Sequence, residues 1–494
     1  MLEEELIELA KTIQLHKSET RTIEVKSAHK DCPKRLYDTL SSFSNQDSGG
    51  TIVFGLDESK NFAAVGVYDG QNLQKKVTEQ CTQMEPQVRG IFTIARFQDV
   101  SICSVEIPPL DITERPCYYK GLGKSKGSYI RVGEADMPMT EYEVYNYESY
   151  KKHRHDDERI IDRADFTFME QELLNRYVYE MKKDRPMFAK LAKDHIYELL
   201  GITRDGKPTL AAILCFNLYP QQYFRQLGIT AIVIPGYEIG DVGSRRERFL
   251  DNKRIEGTIG EMVEGAVAFC RRNMKVAVII DPDTGLRHDK PEYPIEAIRE
   301  IILNALIHRD YSPHSEGIPV QINFFADRLE VHNPGTLYGR ISVEQLGIAR
   351  PDLRNPTLAG MAEVLTGTEN RYSGIPTIRN AMREAGLPPP VFENRRNEFV
   401  VTLYNGAGKY GKEPQKTPSE LGEADVKFYL SKEDMILDFC VTPRTRREIA
   451  DILQMGTIFY VTKHYINPLV AAGKLALTIP DKPKSKLQKY YTKS

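Results

Sequence analysis

Glu300 and Asn304 stand four residues apart in IREIILNALIHRDY, a spacing that turns both side chains to one side of a helix. A carboxylate and an amide so placed suit a site where the glutamate, as general base, orients an attacking water while the asparagine oxygen ligates a magnesium ion. The same pair on an apolar helix could equally cap a buried contact. A second group is acidic: Glu19 and Glu24 in SETRTIEVKS, with Asp57 and Glu58 after a buried strand in GLDES. Carboxylates held on strand ends and adjacent turns can converge on one cation, with Lys26 beside them to neutralise a phosphate. Surface acids flanking a core strand are the plainer account of those residues. A third set is basic: from Lys474 onward the chain has six lysines and one acid, Asp481.

These side chains need elements to hold them. Thr51–Leu56, Ser101–Ile107 and Gly127–Gly133 read as strands of an α/β module ending near residue 145, before the charged stretch YKKHRHDDERIIDR. A connecting segment over 146–250 contains a helical stretch, Met169–Glu198, an apolar strand, Thr209–Asn217, and a second strand, Thr230–Gly236. A module over 251–405 follows, with a helix from Ile259 to Arg272, a strand Val276–Asp281 and a long helix opened after Pro294, whose Ile298, Ile301, Ile302, Ala305 and Leu306 recur at helical spacing. Val320–Asn333 reads as a hairpin turning at Ala326-Asp327. Residues 406–428, rich in Gly, Pro and Lys, read as a linker. In 429–494, Thr445 and Glu448 form a T-x-x-E capping box that begins a helix ended by Gly456, Ile458–Leu475 forms the next helix, and two strands follow around a basic turn. The fold class is multidomain α/β (α+β).

Composition sets the outer bounds. At 494 residues the chain exceeds what one core usually supports, so two to four domains are expected. Hydrophobic residues at 41% and charged residues at 28% are those of a globular protein. The start, MLEEELIELAKTIQ, is acidic and helix-patterned, and no run approaches the ~18 apolar residues of a membrane span. A cytoplasmic location is therefore expected. The cysteines, Cys32, Cys81, Cys103, Cys117, Cys215, Cys270 and Cys440, form no CxxC pair and read as reduced and structural. A net charge of −2 means that any polyanion contact must be local.

Three resemblances sharpen this reading. SETRTIEVKS, TLSSFSNQDSGGTIVFGLDE and YYKGLGKSKGSYIRVG, in that order, resemble the Schlafen AlbA-type domain over about residues 15 to 140. The resemblance implies nucleic-acid binding, to which Lys26 is the candidate phosphate contact read from the residues above. It also implies, from RNA-cleaving members, a carboxylate set of Glu19, Glu24 and either Asp57 or its neighbour Glu58. EIILNALIHRDYS, FADRLEVHNPGTL, LRNPTLAGMAEVL and RYSGIPTI resemble the GHKL-like ATPase region of predicted transcriptional regulators, often labelled a RecG-like helicase C-terminal region. That resemblance implies an α/β sandwich taking ATP and Mg2+, with Glu300 as base and Asn304 on magnesium. It places Asn333 and Gly335 in the adenine-reading turn and Ser373 and Gly374 near the phosphates. Asn333 stands where the superfamily has aspartate, and the glycine box is nearly bare of glycine. No GxxxxGK[ST] motif or helicase motor motif is present, which excludes a helicase. His308-Arg309-Asp310 reads either as a phosphate contact or as charges complementing a helix C-terminus.

Residues 432–493 resemble a winged helix-turn-helix, implying DNA contact through Lys463 and His464 on the third helix and Lys482, Lys484 and Lys486 in the wing. A winged helix used for protein contacts fits the same pattern. The expected function is a homo-oligomeric regulator that binds DNA rather than RNA and senses nucleotide. The alternative is a metal-dependent Schlafen-type nuclease gated by ATP, and a third is a scaffold with degenerate sites. Convergence of Glu19, Glu24 and Asp57 would favour the nuclease.

Overall fold

Residues 1–280, 286–367, 373–406, 432–453, 455, 457–480, 485 and 488–493 are described by a computed structural model. The chain divides into two units, Met1–Arg154 with Lys427–Ser494, and His155–Val426. The linker expected at 406–428 lies almost wholly outside the described residues, as do Gly456, Lys482, Lys484 and Lys486.

In the first unit, strands Ile23–Lys26, Gly50–Phe54, Val100–Ile107 and Ile91–Phe97 pair in that spatial order, the first two parallel and the rest antiparallel. Alternation along the strands gives the sheet two apolar faces. Ile23, Val25, Val53 and Ile102 pack under the helix Glu3–His16 through Leu6, Leu9 and Ile13. Ile52, Phe54, Cys103 and Val105 pack under the helix Tyr37–Asn45 through Leu40 and Phe43. Gly50 permits the close crossing there: a Cβ would lie 2.3 Å from the Phe43 ring.

The C-terminal part of this unit has helices Lys432–Phe439 and Arg446–Ile452, a helical run from Ile458 to Ala471, and a hairpin of Leu475–Leu477 with Tyr490–Thr492. It has its own core of Ile436, Ile449, Val461, Leu469 and Tyr490. The Thr445–Glu448 capping box is formed as expected. This part packs on the first domain, with Arg446 paired to Glu5 at 3.2 Å.

The second unit is built on a six-stranded sheet, in the order Asp251–Ile255, Ile229–Val233, Val320–Phe324, Arg328–Pro334, Glu398–Tyr404, Val391–Asn394. Ile229–Val233 lies before residue 250 yet pairs on both edges inside this sheet, parallel to Val320–Phe324 and antiparallel to Asp251–Ile255. The helices Ile259–Asn273 and Ile295–Ile307 supply Met262, Val263, Ala266, Ile298, Ile301 and Ile302 to its core. The expected hairpin between the third and fourth strands forms and turns at Ala326-Asp327.

Two local readings are corrected. Thr209–Asn217 is not a strand: Leu210–Phe216 is a helix buried on every side, capped by the Thr209 hydroxyl accepting the Ala212 N–H. A continuous apolar run of this length fits a wholly buried helix as well as a buried strand, and the threonine cap decides it. The helical stretch Met169–Glu198 is interrupted, Gln171–Asp184 and Lys193–Leu199 being separated by a 3-10 turn that begins at Pro186. Among the described residues no helix is long and apolar enough to cross a membrane.

Candidate functional site

Six of the residues singled out in the second unit line one cleft: Glu300, Asn304, Asn333, Gly335, Ser373 and Gly374. The cleft encloses about 1390 Å³ free of protein atoms, a figure that includes space open to solvent. Helical spacing brings Glu300 and Asn304 together as expected, and Asn304 Nδ2 donates to Glu300 Oε1 at 2.9 Å. That bond engages the amide nitrogen and not the amide oxygen. Burial raises the Glu300 pKa above the usual carboxylate range, against the Asn304 bond.

Gly374 begins the helix Gly374–Glu384 directly above this pair. A Cβ at Gly374 would come within 2.1 Å of Glu300 Oε1 and 2.9 Å of Asn304 Nδ2, so a larger residue there would displace the Glu300 carboxylate. Ser373 at the N-cap makes no side-chain bond to the first turn, which leaves backbone N–H groups for an anion. Asn333, on the strand Arg328–Pro334, is 7% exposed, and its Oδ1 is buried without a hydrogen-bond partner among the described residues. A buried orphan acceptor on a cleft wall is costly unless something in the cleft donates to it. Gly335 follows at φ 107, backbone that favours glycine. The residues present therefore fit a nucleotide with its metal.

Sequence reasoning missed Arg354 and left His308-Arg309-Asp310 open between a phosphate contact and charges complementing a helix C-terminus. Arg309 is buried, donating to the carbonyls of Ser315 and Ile318, so it contacts no phosphate. His308 lines the cleft, its pKa driven down to about 4 by burial and by Arg354. Arg354 also lines the cleft, paired to Asp310 at 3.1 Å and donating to Thr336 O at 2.9 Å. Only the apposition of LRNP with HRD could have flagged it, and that is a tertiary contact.

The acidic cluster of the first unit is only partly as expected. Glu19 and Glu24 meet, but around Arg131, which lies 2.8 Å from Glu24, 2.9 Å from Asp136 and 3.9 Å from Glu19. Lys26 pairs with Glu24 rather than standing free for a phosphate. Asp57 is spent on its own turn, accepting Ser59 N–H at 3.1 Å and Ser59 Oγ at 2.7 Å, with Lys60 at 3.4 Å. Of the two neighbours Asp57 and Glu58, Glu58 is the one whose charge reaches Glu19, after those of Glu24 and Lys26. Among the described residues no three His, Cys, Asp or Glu side chains are grouped to hold a metal ion.

Burial pushes the Glu19 pKa up to about 7, with the Val25 N–H and Lys26 opposing and Glu24 and Glu58 adding to the rise. The folded domain thus keeps a proton that the unfolded chain releases near 4.5. The resulting stability is complete below that pH and lost as pH rises through 7. Glu19→Gln should flatten this decline, so melting of the variant and wild type across about pH 5 to pH 8 should converge at the acid end and separate, variant higher, at the alkaline end. Parallel curves would mean that Glu19 is ionised throughout.

On the C-terminal helical run Lys463 and His464 are exposed, the His464 ring stacked on Tyr460 with centroids 4.2 Å apart. Three family models match the chain. Schlafen AlbA_2 covers residues 19–140, a putative ATP-dependent DNA helicase recG C-terminal family covers 317–403, and the C-terminal domain of Fic-like (filamentation induced by cAMP) proteins covers 435–492. The second match stops short of the Ile295–Ile307 helix, so Glu300 and Asn304 join the cleft by geometry alone. No curated protein matches. Among solved structures, the chain is similar to the DIP2311 protein from Corynebacterium diphtheriae, at 17% identity and TM-score 0.39 over 95% of this chain and 93% of that one. It is also similar to the N-terminal domain of a putative ATP-dependent DNA helicase RecG-related protein from Nitrosomonas europaea, at 25% identity and TM-score 0.23 over 27% of this chain and 93% of that one. The chain contains a Schlafen AlbA_2 domain and a RecG C-terminal-like, HATPase-type domain, a content that fits a nucleic-acid-related, ATP-binding protein.

Proposed function

We propose that this protein is a DNA-binding regulator that binds ATP and Mg2+ in the cleft of its second unit. The observation that carries the reading is the meeting, in one cleft, of the Glu300–Asn304 pair, a helix begun by glycine and the orphan acceptor of Asn333. Asn333 Oδ1 accepts an N–H from the adenine amine, and the Gly374 helix start offers backbone N–H groups to phosphate. Asn304 holds the magnesium ion, which neutralises phosphate oxygens when bound. Glu300 orients water and takes its proton. Clamped between Lys26 and Arg131, Glu24 acts as an internal charge partner rather than as a ligand of a nuclease metal, and Glu19 is held by the Val25 N–H and keeps its proton to about pH 7. The C-terminal module, read as a winged helix, contacts DNA through its third helix and hairpin.

Isothermal titration tests the cleft. Folded wild-type protein should give heat with ATP and magnesium, and Asn304→Ala should weaken magnesium-dependent binding more than metal-free binding. Equal weakening would remove the ligand role of Asn304. Absence of heat with ATP or ADP at millimolar concentration would refute the nucleotide reading.

A further inference from the structure

The third C-terminal helix is capped from outside its own module. Thr457 stands at the N-cap of the helical run Ile458–Ala471, where a threonine hydroxyl ordinarily accepts a first-turn N–H. It makes no such bond: the residue is 0% exposed and its Oγ1 is buried without a partner among the described residues. The Phe459 N–H is instead accepted, at 3.0 Å, by Glu106 from the strand Val100–Ile107, a carboxylate that also pairs with the Met1 amino group and is 0% exposed. Arg446, one helix earlier, pairs with Glu5. Tyr460 lies within reach of the charges of Asp111 and Arg115, and Tyr465 of that of Asp47. The face of the first domain under the module therefore carries Glu5, Asp47, Glu106 and Asp111, with Arg115 paired to Asp47 at 2.8 Å.

We propose that the C-terminal module is a masked DNA reader, held on the first domain by an exchangeable helix cap. This rests on the DNA-binding reading above. A helix-turn-helix reads base edges with the N-terminal residues of its recognition helix, and it is the first turn of this helix that is held on the first domain, through the Phe459 N–H on Glu106, while Lys463 and His464 further along stay exposed. Docked, the helix start is capped by Glu106. Released, the Thr457 hydroxyl is free to turn onto its own first turn, so no N–H is orphaned in either state. The unsatisfied hydroxyl disfavours the docked state, which keeps the two states close enough for a ligand to shift. DNA and docking exclude each other, because one helix start cannot occupy both.

Two variants of the full chain push in opposite directions. Arg446→Ala removes the Glu5 pair and should speed amide exchange at Phe459–Val461. It should also raise affinity for a short DNA duplex about five-fold, at the low end of measured couplings between sites. Thr457→Val removes both the orphan hydroxyl and the alternative cap, and should slow the exchange and lower the affinity by a similar factor. A fall in affinity for Arg446→Ala, or exchange unmoved in both variants, overturns the latch. Exchange shifting as expected while neither wild type nor variant binds duplex overturns the reader and leaves the cap exchange standing. ATP titration of the same samples reports the nucleotide site separately.

Discussion

Glu300→Gln should bind ATP and magnesium nearly as tightly as wild type while slowing ATP turnover by roughly 10²–10⁴-fold, the contribution of a positioned general base. Glutamine keeps the volume and the oxygen that accepts Asn304 Nδ2 at 2.9 Å, so the cleft wall and the proposed magnesium ligand stay in place. What it loses is basicity. Burial moves the Glu300 pKa upward, towards the working pH at which a base is most effective, so the rate should fall as acid protonates this group at a pH above the usual glutamate range. Because the proton moves only in the transition state, the loss should appear in kcat and kcat/KM alike, with binding by titration unchanged. Phosphate release alongside calorimetry separates the two. Variant turnover at the wild-type rate would assign the base elsewhere, and a parallel loss of binding would make Glu300 a structural partner of Asn304.

The parts of this site that could be read from sequence are those fixed by short-range geometry. Glu300 and Asn304 share a helix, so one turn of periodicity joins them, and the Thr445–Glu448 box is likewise a three-residue relation. Long-range charge pairing left no trace in local pattern. Arg131 meets Glu19 and Glu24 across more than a hundred residues of chain, and Arg354 meets Asp310 across a whole strand pair. Lys26 reads as a phosphate ligand until its Glu24 partner is seen, and Asp57 reads as a metal ligand until its own turn claims it. The docking of the C-terminal module was hidden for the same reason: Glu106 and Phe459 are 353 residues apart. The Gly/Pro/Lys-rich composition between them argued only for separation. Leu210–Phe216 failed differently, since uniform burial removes the alternation that tells helix from strand.

Replacing Arg131 by methionine should cost the first domain about 3–5 kcal/mol, the penalty of leaving buried charge without its partner. The Arg131 side chain is 1% exposed and binds Glu24 and Asp136, themselves 8% and 11% exposed. Asp136 in turn accepts the hydroxyls of Thr39 and Ser42, at 2.6 and 2.5 Å, so the network ties the helix Tyr37–Asn45 to the strand Tyr129–Val132. The guanidinium also lies 5.2 Å over the Phe43 ring, a packing contact that methionine keeps in part. Arg131→Lys retains the charge but not the planar fork that sets one nitrogen between Glu24 and Asp136 and the other on the Thr20 and Ile23 carbonyls, so it should fall between wild type and Arg131→Met. Since the chain has two units and no single unfolding free energy describes both, the measurement is residue-resolved hydrogen exchange in the full chain. Protection should drop over the first domain and hold in the cleft of the second unit. Pairing Arg131→Met with Glu24→Gln should recover part of the loss, because the carboxylate that most needs the arginine has then become neutral. An additive double variant would mean that Arg131 stabilises through Phe43 and Asp136 alone, and Glu24 would again be open to bind a cation.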